Sequence, residues 1–268
     1  MILIFQLILF LELINSQRAP GFFNRLFRYK GPRIVGGYEV NPPKKYAFMV
    51  SIQIQNKHTC GGILLNQNTV LTAAHCVFND ISEFTVKVGR HNLTKGDGEE
   101  GGASYRVLQR IIHPNFEDSV KGYDVAVWKI ESVHPRFLDS QISLDQGEIA
   151  EDPRSKLTVV GWGRTAEGGP VSPVLLQITI PVVDWNKCAK NYLKEGVEMN
   201  NKTQICAGYF DGGIDSCQGD SGGPLFGILD NVVYLVGLVS YGVGCALPDI
   251  PGIYTKIAGV IPFINSNL

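Results

Sequence analysis

An all-β fold, a sandwich or a barrel, is what this sequence predicts, and three observations predict it. Beyond Ile34 the apolar residues fall in short runs: Ala47–Gln55, Phe84–Gly89, Val125–Ile130, Leu157–Trp162, Leu175–Val183 and Val232–Tyr241. Several are rich in β-branched and aromatic residues, while few windows repeat at the helical period. The 268 residues include 30 Gly and 14 Pro, scattered throughout, which suit the turns that many short strands need.

Taken in order, Met1 to Ile14 is apolar apart from Gln6 and Glu12. It is shorter than the ~20 residues of a membrane span and fits the apolar region of a signal peptide, residues 1–16, ending at the small Ser16. Residues 17–33 are basic, contain Pro and Gly, and lack a hydrophobic period, so they read as a pro-peptide. The strand runs follow from Ile34 onward. The chain closes on one expected helix, Ile261–Asn267, with Pro262 in its first turn.

Composition narrows the function. Apolar residues make up 44% and charged residues 18%, enough apolar surface for a packed core. Taking the five bases and one acid of residues 1–33 from the totals of 24 and 25 leaves 19 against 24, a net charge of −5 for residues 34–268. A body without a basic surplus is not expected to bind nucleic acid. Cys60, Cys76, Cys188, Cys206, Cys217 and Cys245 form an even set, which in an exported chain predicts three disulfides whose pairing spacing alone leaves open. No CxxC pair occurs, and no metal site is expected. Two sequons, at Asn92 and Asn201, suit secretion and glycosylation.

Gly219-Asp220-Ser221-Gly222-Gly223-Pro224 carries the most chemistry. A serine hydroxyl needs a neighbouring base to become a nucleophile. Flanking glycines let backbone N–H groups approach the oxyanion formed during attack, each donor contributing ~3 kcal/mol. The hexapeptide also satisfies the nucleophile elbow of lipases and esterases, but that fold places its histidine after the serine. All five histidines (His58, His75, His91, His113 and His134) precede Ser221, which excludes it. His75, in Leu71-Thr-Ala-Ala-His75-Cys76, is the candidate base. Asp124, at the head of the apolar run Val125–Ile130, is the candidate carboxylate to orient it.

Arg33-Ile34-Val35-Gly36-Gly37, Thr72-Ala-Ala-His75-Cys76, Asp124-Val-Ala and Gly219–Pro224 together resemble the chymotrypsin/trypsin family of serine proteases, in the family's order, from Ile34 nearly to the C-terminus. The resemblance implies two antiparallel six-stranded β-barrels packed face to face, about 34–140 and 141–268, with the site between them and a short C-terminal helix. It implies a catalytic triad of His75, Asp124 and Ser221, and an oxyanion hole of the Gly219 and Ser221 N–H groups. It also implies the pairs Cys60–Cys76, Cys188–Cys206 and Cys217–Cys245. Asp215 falls at the base of the family's specificity pocket, with Ser216, Ser240, Gly242 and Gly252 around it, which implies cleavage after Arg or Lys. A chymotrypsin-like preference and a non-catalytic binding homologue are the alternatives. Arg33-Ile34 matches the activation site, whose freed amine would pair with Asp220.

Two segments depart from the pattern. Tyr241 stands where the family commonly carries Trp, and the Gly89–Glu100 loop has Arg90 where calcium binders carry an acid. Arg90 is expected to pair with Asp97 and Glu100 in place of the ion, so no cofactor is expected. The expected product is a secreted monomer acting on protein or peptide substrates, open to protein protease inhibitors, and not attached to a membrane.

Overall fold

The computed structural model describes residues 34–139, 142–152 and 155–268. The expected signal peptide and pro-peptide, Arg33 included, lie outside the described residues. Fourteen strands are present among the described residues: β1 (Tyr38–Glu39), β2 (Met49–Ile54), β3 (Lys57–Asn66), β4 (Thr69–Thr72), β5 (Phe84–Val88), β6 (Ala103–Ile112), β7 (Ala126–Ile130), β8 (Ser143–Leu144), β9 (Lys156–Gly161), β10 (Leu176–Pro181), β11 (Gln204–Ala207), β12 (Pro224–Leu229), β13 (Val232–Tyr241) and β14 (Gly252–Lys256). Every expected strand run overlaps one of them.

The first half is a closed antiparallel barrel in the order β2-β3-β4-β7-β6-β5, with β5 returning to β2 through Ser51–Lys87 to Ile54–Phe84. Its interior is filled by Val50, Ile52, Leu64, Val86, Trp128 and Ile130. The second half is a sheet in the order β1-β10-β9-β12-β13-β14-β11, with the two-residue β8 running parallel beside β13. Six strands of four to ten residues form its body. The far edges meet at a bridge between Val182 and Ala207, where Gly208 N–H donates to Pro181 O at 3.0 Å.

A third cluster joins the halves. Phe48, Met49, Ile63 and Leu71 from the first barrel pack with Val160, Trp162, Phe226 and Leu238 from the second. The C-terminal helix, Ile261–Asn265 with Pro262 in its first turn, adds Ile264 to this cluster and sets Phe263 4.7 Å from the His113 ring. Two further helices are present, a four-residue turn α1 (Asp97–Glu100) and α2 (Trp185–Lys194), whose Asp184 side chain caps the Lys187 N–H at 2.7 Å. Three disulfides join Cys60–Cys76, Cys188–Cys206 and Cys217–Cys245.

Candidate functional site

At the junction of the halves, His75 occupies a one-turn helix, Ala74–Cys76, directly after β4, and the Cys60–Cys76 disulfide ties that turn to β3. Its Nδ1 lies 2.7 Å from Asp124 Oδ2, and its backbone N–H donates to Asp124 Oδ1 at 2.9 Å. A carboxylate only accepts, so Nδ1 carries the hydrogen and Nε2 is left as the basic nitrogen. Asp124 is 1% exposed and comes from the first barrel, yet two hydroxyls of the second hold it. Ser240 Oγ donates to Asp124 Oδ2 at 2.6 Å, and Thr255 Oγ1 donates to Asp124 O at 2.8 Å. The β13–β14 register shifts between Val239 and Tyr241, and this bulge aims Ser240. Burial alone would raise the Asp124 pKa. Hydrogen bonds from the His75 ring, Ser240 and the His75 N–H, with the charge of His75, outweigh it and hold the carboxyl below its ordinary value.

Ser221 is reached by a loop that the first barrel grips: Gly61 N–H donates to Ser221 O at 2.8 Å. The Ser221 hydroxyl has no hydrogen-bond partner among the described residues. In enzymes without substrate such contacts are often long, and tighten on binding. The backbone N–H groups of Gly219 and Ser221 are likewise unpaired among the described residues. Gly219 sits at φ +97°, where a Cβ would lie 3.1 Å from Gly163 Cα, so glycine is required.

Four missed residues hold this loop. His58 Nε2 lies 2.7 Å from Gly219 O and its Nδ1 2.9 Å from Ser51 Oγ, which accepts from Gln53 Nε2 at 3.0 Å. A carbonyl accepts only, so Nε2 carries the hydrogen and Ser51 donates to Nδ1. Burial lowers the His58 pKa to about 4, which keeps the ring neutral in this role. Gly163 is the fourth. Its N–H and that of Cys217 donate to Asp220 at 2.8 and 3.0 Å. Asp220 is fully buried, and burial pushes its carboxyl up to about 7. An isolated histidine at strand spacing and a single glycine carry no signal in one sequence, which is why these were missed.

Asp215 and Ser221 line one cavity of about 180 Å³, with Ser216, Ser240, Gly242 and Gly252 also in its wall. Asp215 is 5% exposed and accepts from the N–H groups of Ser216 and Ala246 at 2.8 and 3.1 Å. Burial outweighs those bonds and raises its pKa to about 7. A Cβ on Gly252 would lie 2.8 Å from Asp215 Oδ1, so a side chain there would cover the carboxylate. Val35 O accepts from Asp215 N–H at 3.1 Å, and Ile34 is fully buried. The segment after the expected cleavage point thus braces the base of the pocket.

Arg90 lies inside the Gly89–Glu100 loop, its side chain 1% exposed. It pairs with Asp97 through Nη1 and with Glu100 through Nε at 3.1 Å. Glu100 also accepts from the N–H groups of His91 and Asn92 at 3.1 and 2.8 Å. Burial works against ionising both acids, but these N–H groups and the guanidinium hold the Glu100 pKa low, and the Ser104 hydroxyl, Lys87 and the guanidinium hold that of Asp97 low. Lys121, three residues before Asp124, is paired with Glu117 and Asp118.

Among families of known proteins, the model described as Trypsin matches residues 34–264. A trypsin of Aedes aegypti is 37% identical over 236 residues, 87% of this chain and 84% of that protein. Trypsin-1 of Astacus astacus is 33% identical over 87% of this chain and 99% of its own length. The serine proteinase stubble of Drosophila melanogaster is 34% identical over 87% of this chain but 30% of its own length. Among the described residues no helix is long and apolar enough to cross a membrane.

Proposed function

This chain belongs to the trypsin family of serine proteases, and from that premise we propose that it is a secreted endopeptidase cleaving after Arg or Lys, made as a zymogen opened at Arg33-Ile34. Ser221 Oγ attacks the scissile carbonyl as His75 Nε2 takes its proton. Asp124 fixes the imidazole tautomer and stabilises the imidazolium that forms. The N–H groups of Gly219 and Ser221 donate to the tetrahedral oxyanion. His75 then returns the proton to the leaving amine, and water, activated by the same nitrogen, hydrolyses the acyl-enzyme. The roles follow the family's triad, and the His75–Asp124–Ser240 geometry supports assigning them here.

The observation that carries the specificity is Asp215 in the wall of the cavity that also contains Ser221. A buried carboxylate favours a long cationic side chain and disfavours an apolar one that leaves it unpaired. Cleavage before Ile34 would free an amine for Asp220, offsetting the cost of ionising that carboxyl. Arg90, already paired with Asp97 and Glu100, supports a loop that carries its own cation in place of calcium. We assign the chain a secreted, monomeric state, with protein substrates and protein inhibitors at the same cleft. The test is to cleave the purified protein at Arg33 and profile a peptide library, with Ser221→Ala as control. Cuts after Arg and Lys that vanish in the control are expected. Cuts after aromatic residues, or none, would overturn the reading.

A further inference from the structure

On the second half, away from the catalytic cavity, a groove of about 360 Å³ is lined by Val182, Val183, Trp185, Glu151, Lys256 and Asn201. Lys256 and Glu151 pair at 2.8 Å on its edge. Asn201 opens the sequon Asn201-Lys202-Thr203. Its neighbour Asn200 turns inward, donating to Lys121 O at 3.3 Å and accepting from Lys202 N–H at 3.1 Å. Asn201 itself is exposed, and its amide has no partner among the described residues. Thr203, in contrast, is 1% exposed, so the sequon is readable only before this segment packs.

We propose that Asn201 carries an N-linked glycan whose first sugar lies in this groove against Trp185. The inference rests on the secretion reading above. In the transfer, Asn201 Nδ2 bonds to C1 of an N-acetylglucosamine. The C1–O bond to a lipid-linked diphosphate breaks, the diphosphate leaves, and the amide proton goes to solvent. The occupant is tethered to one wall of the groove, so ordering it costs little extra entropy. One face of the sugar is apolar and suits the half-buried indole, while its hydroxyls reach the Lys256–Glu151 edge. Asn92 lines a cavity of about 400 Å³, but its walls, which include Glu39, Lys44, Lys95 and Glu99, carry charge and no indole for a sugar face.

The protein contains three tryptophans, and Trp128 and Trp162 are fully buried. Trp185 is therefore the indole that reports on the groove. The experiment secretes the full chain from a glycosylating host, maps Asn201 by peptide mass, and compares acrylamide quenching before and after native treatment with peptide N-glycosidase. Carbohydrate on Asn201 is expected, with quenching rising roughly twofold on its removal as the shielded indole opens. Asn201→Gln should match the treated protein in quenching, and both should melt about 3 °C lower. Bare Asn201 in secreted protein overturns the inference, as does quenching indifferent to the glycan. Peptidase activity assayed on the same sample after cleavage at Arg33 keeps the two readings separate: absence of Arg/Lys cleavage with the glycan in place counts against the protease reading alone.

Discussion

Asp215 and Asp220, five residues apart, are both buried and both raised to about 7, so each is a latent charge awaiting a cation. On the proposed specificity, the cation for Asp215 is the substrate side chain. Tyr192 and Tyr254 near it are pushed up by burial and stay neutral here, leaving Asp220 as the titrating neighbour. Cation binding requires ionised Asp215. Affinity is therefore complete above about 7 and falls as pH drops through that value. Benzamidine titrations from pH 5 to pH 9 check this. Asp215→Ser should cut kcat/KM for Arg substrates by about 10³-fold. His58 works through Gly219, so His58→Gln should lower kcat about tenfold with KM nearly unchanged, less than loss of an oxyanion donor. His75, Asp124, Asp215 and Ser221 were legible as candidates because each stands in or beside a short local motif. Ser51, His58, Gly163 and Thr255 were not, since each acts through a partner distant in the chain.

At the scale of elements, the strands were readable wherever hydrophobic runs had turn residues at both ends, as in Leu157–Trp162. Helix α2 was not. Trp185, Cys188 and Tyr192 do repeat at helical spacing, and Asp184 is a good cap, but the intervening residues are polar and the helix is short. Its hold comes from the Cys188–Cys206 disulfide and the packing of Tyr192, tertiary facts that periodicity does not register. The 90–100 loop is held by charge instead. Arg90→Gln would leave Glu100 without its guanidinium and Asp97 with Lys87 alone at 3.5 Å, and removing one partner of an ion pair with a buried guanidinium costs about 3 kcal/mol. The variant should melt several degrees lower and regain part of the loss in millimolar calcium. Wild type should show no calcium-dependent shift in the same calorimetric scan.

Across the whole molecule, the proposed activation links cleavage before Ile34 to catalysis through Asp220. Once Ile34 is freed, its amine has an intrinsic pKa of ~7.7–8.0, and pairing with a carboxylate raises it. A raised amine contributes fully at lower pH and loses its contribution as pH rises through the paired value. Activity of the cleaved enzyme should therefore fall in strong alkali while far-ultraviolet circular dichroism stays unchanged. A flat rate profile would count against the pairing. The second sheet was the least readable feature at this scale, because its far edges meet through one bridge, Val182–Ala207, rather than through a patterned strand.

The hydroxyls of Ser240 and Thr255 reach across from one half to hold a carboxylate of the other. A nascent chain with its N-terminal portion collapsed has an imidazole and an acid but no alcohol, no clamp and no anionic cleft. Destructive capacity thus arrives with the last strands to leave the ribosome.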